Sequence, residues 1–146
     1  MANWFECKIR YDKTLEDGKI KKTTETYMVD ALTFTEAERR FLEEMEPYMS
    51  GEYEVAGIKK ARIAELMASI DGNDDRWYRA KVAFITLDEK TGVEKRTSQT
   101  MLVQARDLKT AVQNLEKCMA GTMGEWSLTS MAETAIIDIF PYEKKD

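Results

Sequence analysis

The residues best suited to chemistry come in matched pairs. Lys21-Lys22 and Lys95-Arg96 each follow a glycine turn at the same place in the two halves of the chain. Four such cations could hold the phosphates of a nucleotide or an RNA strand, because ammonium and guanidinium groups give charge-assisted hydrogen bonds to phosphate oxygens. Neighbours on a strand point to opposite faces, so each pair offers one cation to any given site. The plainer reading is a charged hairpin that stays soluble and blunts edge pairing. A further basic run, Lys59-Lys60 and Arg62, has no basic counterpart in the second half.

Trp4 and Trp77 form the second matched set, with Lys8 and Lys81 on the same side of their strands. An indole can stack a base or anchor a partner. Met28 and Leu102 lie on the same face, which predicts an amphipathic strip. Exposed strips of that kind meet a subunit, another layer or a flat ligand, unless a bent strand or a terminus folds over them. The expected binding set is therefore Trp4, Trp77, Lys8, Lys81, Lys21, Lys22, Lys95 and Arg96.

Other candidates carry less. Asp71, Asn73, Asp74 and Asp75 bring oxygen ligands together but lack the spacing and distal glutamate of an EF-hand, so they read as a solvated linker. Cys7 points inward from a strand and is matched by Ala80, the pattern of a small core residue. Cys118 lies late in a helix, partly exposed, with no base near it in sequence. The sequence contains no histidine, which removes Ser-His-Asp triads, Cys-His dyads and His-ligated zinc or haem. Two cysteines are too few for a disulfide scaffold or a four-cysteine zinc site. No Gly-rich phosphate loop or nucleophile elbow is present. The expectation is a protein that is not an enzyme and needs no cofactor.

The elements that must position these residues are legible because the chain of 146 residues is written twice. Trp4-Phe5-Glu6-Cys7-Lys8-Ile9 lines up with Trp77-Tyr78-Arg79-Ala80-Lys81-Val82. One extra residue then enters the second copy before its turn, so that Gly18 meets Gly92, and Val29, Ala31, Ala37 and Met45 meet Val103, Ala105, Ala111 and Met119. In the first strand Phe5, Cys7, Ile9 and Tyr11 alternate with Trp4, Glu6, Lys8 and Arg10, a period of two that marks one buried face. Asp17-Gly18 and Thr91-Gly92 supply hairpin turns. The second strands, residues 25–31 and 99–105, turn Tyr27, Val29 and Ala31, or Met101, Val103 and Ala105, inward.

Helices follow at once. Thr33 with Glu36 is a capping box, and Asp107 takes the matching N-cap position. Phe34, Ala37, Phe41, Met45 and Tyr48 recur at helical spacing, as do Leu108, Ala111, Leu115 and Met119. Pro47 limits the first helix. An aromatic-led strand then begins near Tyr53 or Trp126, and its alternation slips near Gly57 and Ser130, the sign of a bulge or bend. The expected fold class is α+β: an internal duplication of a strand-hairpin-strand-helix-strand unit, with an antiparallel sheet carrying two helices on one face. The expected organisation is one domain over 1–146, built from repeats at about 3–67 and 76–142 joined by a polar connector at 68–75, and sharing one core.

Trp4-Phe5 opening a strand, followed by Val29-Asp30-Ala31-Leu32-Thr33-Phe34-Thr35-Glu36-Ala37-Glu38, resembles an uncharacterised domain-of-unknown-function family common in gut Bacteroidetes and their phages. The likeness spans about Trp4 to Tyr142 and specifies strand, cap and helix start rather than a site. It implies a bacterial or phage protein and brings no catalytic residues with it.

A formal charge of -5 argues against holding duplex nucleic acid. The start has no signal peptide, and no apolar run is long enough to cross a bilayer, so a cytoplasmic location and no membrane partner are expected. The leading expectation is a non-enzymatic intracellular binding protein, a homo-oligomer or the partner of another protein. One alternative is a phage-type counter-defence protein that sequesters a nucleotide signal. Another is a single-stranded nucleic-acid accessory protein using the same aromatics and lysines.

Overall fold

The computed structural model describes residues 3–141. The chain opens with a long hairpin, β1 (Trp4–Thr14) and β2 (Ile20–Asp30), then α1 (Phe34–Met45), a 3₁₀ turn (Glu46–Tyr48), β3 (Tyr53–Ala61) and β4 (Glu65–Met67). The same order returns as β5 (Arg76–Leu87), β6 (Glu94–Ala105), α2 (Leu108–Met119), β7 (Glu125–Glu133) and β8 (Ile136–Phe140). The α+β class stands.

The sheet is divided, however. One four-stranded sheet has the order β3-β1-β2-β8 and the other β4-β6-β5-β7. The chain accordingly forms two compact units, one from the residues up to Arg62 together with the stretch from Ala135, the other Ile63–Thr134. Each sheet has three antiparallel strands and one parallel edge strand that comes from the other end of the sequence pattern: β8 lies parallel to β2, and β4 parallel to β6. Each unit has its own helix and its own buried cluster beneath it, and two sheets stand where the sequence pattern led to one.

The core of the first unit is the inward face of the hairpin, with Phe5, Cys7, Ile9, Tyr27 and Val29 packed under Ala37, Phe41 and Met45 of α1. The second repeats the arrangement with Ala80, Val82, Met101 and Val103 under Leu115 and Met119. Both helices begin where the cap residues place them. Thr33 accepts a hydrogen bond from the Glu36 N–H at 3.1 Å, and Asp107 from the Thr110 N–H at 2.7 Å. α1 ends before Pro47, in the 3₁₀ turn, which leaves Tyr48 exposed rather than on the buried helical face. Phe34 is half exposed and meets Phe5 edge-on at 4.9 Å, a T-shaped contact that anchors the first helical turn. Arg40 donates to the Asp30 and Pro141 carbonyls, tying α1 to the ends of the two strands beside it.

The third strands carry the slips their sequences announce. The β1–β3 register shifts between Lys8 and Ile9, where Gly57 and Val55 pair and Ala56 is left over. The β5–β7 register shifts between Lys81 and Val82, leaving Thr129 unpaired. These are bulges at equivalent places, and each bends an edge strand. Gly18 and Gly92 hold φ at 83° and 70°, the conformation that lets the two hairpins turn tightly.

Candidate functional site

The hairpins are longer than their cores. Burial ends at Ile9 and Ala83 on the outgoing strands; Tyr11, Phe84 and Ile85 beyond them are half-buried, and both faces lie open only from Asp12 and Thr86 onward. The basic pairs sit on these projecting ends. Lys21 stands opposite Lys13 and Lys22 opposite Asp12; Lys95 stands opposite Thr86 and Arg96 opposite Ile85. All four cations are exposed, and members of each pair point to opposite faces. Lys13 against Lys21 is a like-charge cross-strand pair, which is unfavourable unless an anion approaches. Lys22 is differently placed: it lines a hollow of about 270 Å³ with Arg10 and with Asp12, Glu52 and Glu54, three carboxylates to two cations. Arg96 reaches across to donate to the Ser127 hydroxyl at 3.5 Å.

Apolar side chains accompany these charges. Leu15 (37% exposed) and Ile20 (69%) flank the first turn, and Leu87 (67%) and Val93 (62%) flank the second. Each hairpin end is thus an amphipathic tip, although its apolar residues do not stand at matching positions of the repeat: Leu15 aligns with Asp88 and Ile20 with Glu94.

The tryptophans are not part of an exposed strip. Trp4 and Trp77 are 7% and 5% exposed, and Met28 and Leu102 on the same faces are buried as well. Removing an indole and its apolar neighbours from water is strongly favoured, which is why this face is not left open. Lys8 and Lys81 remain exposed, four residues along the strand from their tryptophans. The hairpin-end cations lie farther still. Lys22 pairs with Asp12, eight positions from Trp4, and Arg96 with Ile85, eight positions from Trp77. At a rise of about 3.4 Å per residue, roughly 27 Å separates indole from cation within each unit. A single small ligand cannot stack on the one and bind phosphate with the other in the same unit.

The connector holds a site that sequence reading passed over. Asp74 was expected in a solvated linker, yet it is 6% exposed. Its Oδ2 accepts from the Ser69 hydroxyl at 2.5 Å and from the Asn114 side-chain amide at 3.4 Å, while Asn114 also donates to the Gln104 carbonyl at 3.0 Å. Ser69 N–H donates to Gln104 Oε1 at 2.9 Å, and Asp71 accepts from the Asn73 N–H at 2.9 Å. The other oxygen of Asp74, Oδ1, is buried and has no hydrogen-bond partner among the described residues. The run of closely spaced Ser, Asp and Asn residues was the available signal, but it predicts a hydrogen-bonded turn without saying which carboxylate turns inward.

The two cysteines differ as their positions suggest. Both are free; Cys7 is buried and Cys118 exposed. Burial, with Glu6 alongside, pushes the Cys7 thiol from 9.0 up to about 12, which leaves it inert. Among the described residues no helix is long and apolar enough to cross a membrane.

The family model described as a domain of unknown function, DUF4494, matches residues 3–142, and the chain belongs to that family. No curated protein matches it.

Proposed function

For this member of a family without a defined activity, we propose a non-enzymatic binding protein that acts through self-association, with the two hairpin ends as its contact surface. The observation that carries this reading is that each hairpin tip exposes two large apolar side chains, Leu15 and Ile20 in one unit and Leu87 and Val93 in the other. Each apolar pair is bordered by the cations Lys21-Lys22 or Lys95-Arg96 and by Asp17 or Asp88. Tips that combine apolar centres with both signs of charge suit a second copy, because the same elements can satisfy one another across a two-fold interface. Two free cysteines agree with a reducing compartment, and the cytoplasm is the location that fits this reading.

The test is native mass spectrometry of the full chain beside an Ile20→Glu, Val93→Glu double variant. Wild-type protein is expected as a dimer or larger assembly, and the variant as monomer with an unchanged melting temperature. A wild-type protein that stays monomeric at every concentration overturns self-association.

A further inference from the structure

We infer that the outer edge of β2 takes a strand from a second copy of this chain, and that the strand is β8. This exchange is a mode of association separate from the hairpin tips, and it follows from the strand order.

The place beside β2 is a parallel one. β2 and β3 both run antiparallel to β1, so β3 is parallel to β2, as β8 is. Reaching that place from β3 within one sheet takes a crossover of about a dozen residues or more, and only residues 62–64 lie between β3 and β4. β4 goes instead to the other sheet, onto β6, and the chain returns after β7 to lay β8 on β2. The first sheet cannot be closed by the strand that follows it in sequence.

The registers show an exchange of equivalent strands. Leu66 and Met67 of β4 stand beside Leu102 and Val103, and Ile139 and Phe140 of β8 stand beside Met28 and Val29. Ile139 follows Leu66, and Phe140 follows Met67, by the interval that separates Trp77 from Trp4. Each half of the chain completes the sheet of the other with the same strand in the same register.

The site on β2 recognises β8 itself and not its tether. Tyr27 stacks on Phe140, Arg40 donates to the carbonyl of Pro141, and Ile136 and Ile139 are buried. The β8 of a second copy satisfies all of these contacts equally. The tether, moreover, is short. Thr134 is fixed within the second unit, its N–H and hydroxyl both donating to the Trp77 carbonyl, at 2.9 and 2.8 Å. Ile136 already pairs with Thr26 of β2. Ala135 alone lies between these anchorages, and a hinge that short favours exchange, since opening it keeps every strand contact. Exchange takes place while the edge of β2 is open, during folding at high chain concentration; a chain closed on its own β8 stays closed until that strand detaches.

The test uses the full chain carrying Ile20→Glu and Val93→Glu, which removes the tip contact. Unlabelled and nitrogen-15-labelled copies are unfolded in urea, mixed, and refolded together at low and at high concentration. Native mass spectrometry should show monomer from the dilute sample. The concentrated sample should yield a dimer holding one copy of each mass, which persists on dilution because parting requires β8 to leave its sheet. Deleting Ala135 should raise the dimer fraction severalfold, and lengthening the hinge with glycines should lower it, since slack lets β8 return to its own chain. If the deletion fails to fold, the lengthened hinge decides alone. Refolding to monomer at every concentration overturns the exchange and leaves the tip contact standing. A dimer whose amount is indifferent to hinge length overturns it as well.

Discussion

Tyr27 of β2 stacks on Phe140 of β8, with ring centroids 5.6 Å apart and planes 12° from parallel. The contact fastens a strand that follows β7 in sequence onto the sheet built from the opening hairpin. Phe140→Ala should therefore cost about 1–3 kcal/mol, less than a fully buried phenylalanine because the ring is only partly covered. Ending the chain at Thr134 makes the sharper test. Hydrogen exchange should rise in β1 and β2, not in β7, the strand joined to β8 by two residues. Loss of protection centred on β7 would contradict the strand order.

Trp4→Ala and Trp77→Ala should each destabilise the protein by about 3–5 kcal/mol, the range for a buried large aromatic. Urea unfolding measures this directly. An exposed platform would give a change within about 0.5 kcal/mol.

The two helix caps should behave alike on truncation and differently with pH. Thr33→Ala should lose about 1 kcal/mol in thermal or urea unfolding, and Asp107→Ala should shift stability in the same direction. Hydrogen bonds from Thr110 hold the Asp107 carboxyl below its ordinary 3.8. A folded value lower than the unfolded one stabilises the fold above pH 3.8 and ceases to do so as the pH falls through the folded value. Wild-type and Asp107→Asn proteins should thus converge in stability as the medium is acidified, and curves that stay parallel would remove the cap from the account.

Iodoacetamide should modify Cys118 in the native protein and spare Cys7 until the chain unfolds, as read by peptide mass spectrometry. The Cys7 thiol is raised from 9.0 to about 12 in the fold, so its contribution is intact below 9.0. Above that value the unfolded chain ionises first, and stability should fall by about 1.4 kcal/mol per pH unit until about 12. Cys7→Ala should flatten that slope, since the repeat already accepts Ala80 at the matching position.

Much of this architecture was legible because local rules govern it. The period-two strands, the glycines at 18 and 92 with positive φ, the caps at Thr33 and Asp107 and the bulges opposite Lys8 and Lys81 all follow from a few neighbouring residues. The destinations of β4 and β8 were not, because three to five apolar residues state that a strand exists and not which sheet it joins. The tryptophans were assigned to the right face, but a strand's alternation cannot say whether that face is open. Asp74 was hidden for a related reason: a polar run in a connector has the composition of a solvated turn whether or not one of its carboxylates is turned inward. At the hairpin ends the basic pairs stand exposed just after their turns, where their sequence positions put them, whereas their apolar companions, split by the turn, formed no pattern of their own.

The parallel edge strands set a timetable for folding. A ribosome releases β1, β2, α1 and β3 early, yet the sheet they form has its fourth place filled only by β8, after α2 and β7 have already been made. Loop-closure entropy over so long an intervening chain makes that pairing a late step, while β4 waits only as far as β6. The nascent first sheet therefore spends most of translation with the outer hydrogen-bonding edge of β2 unpaired, the interval in which a chaperone, or a neighbouring nascent chain, has its best opportunity to meet it.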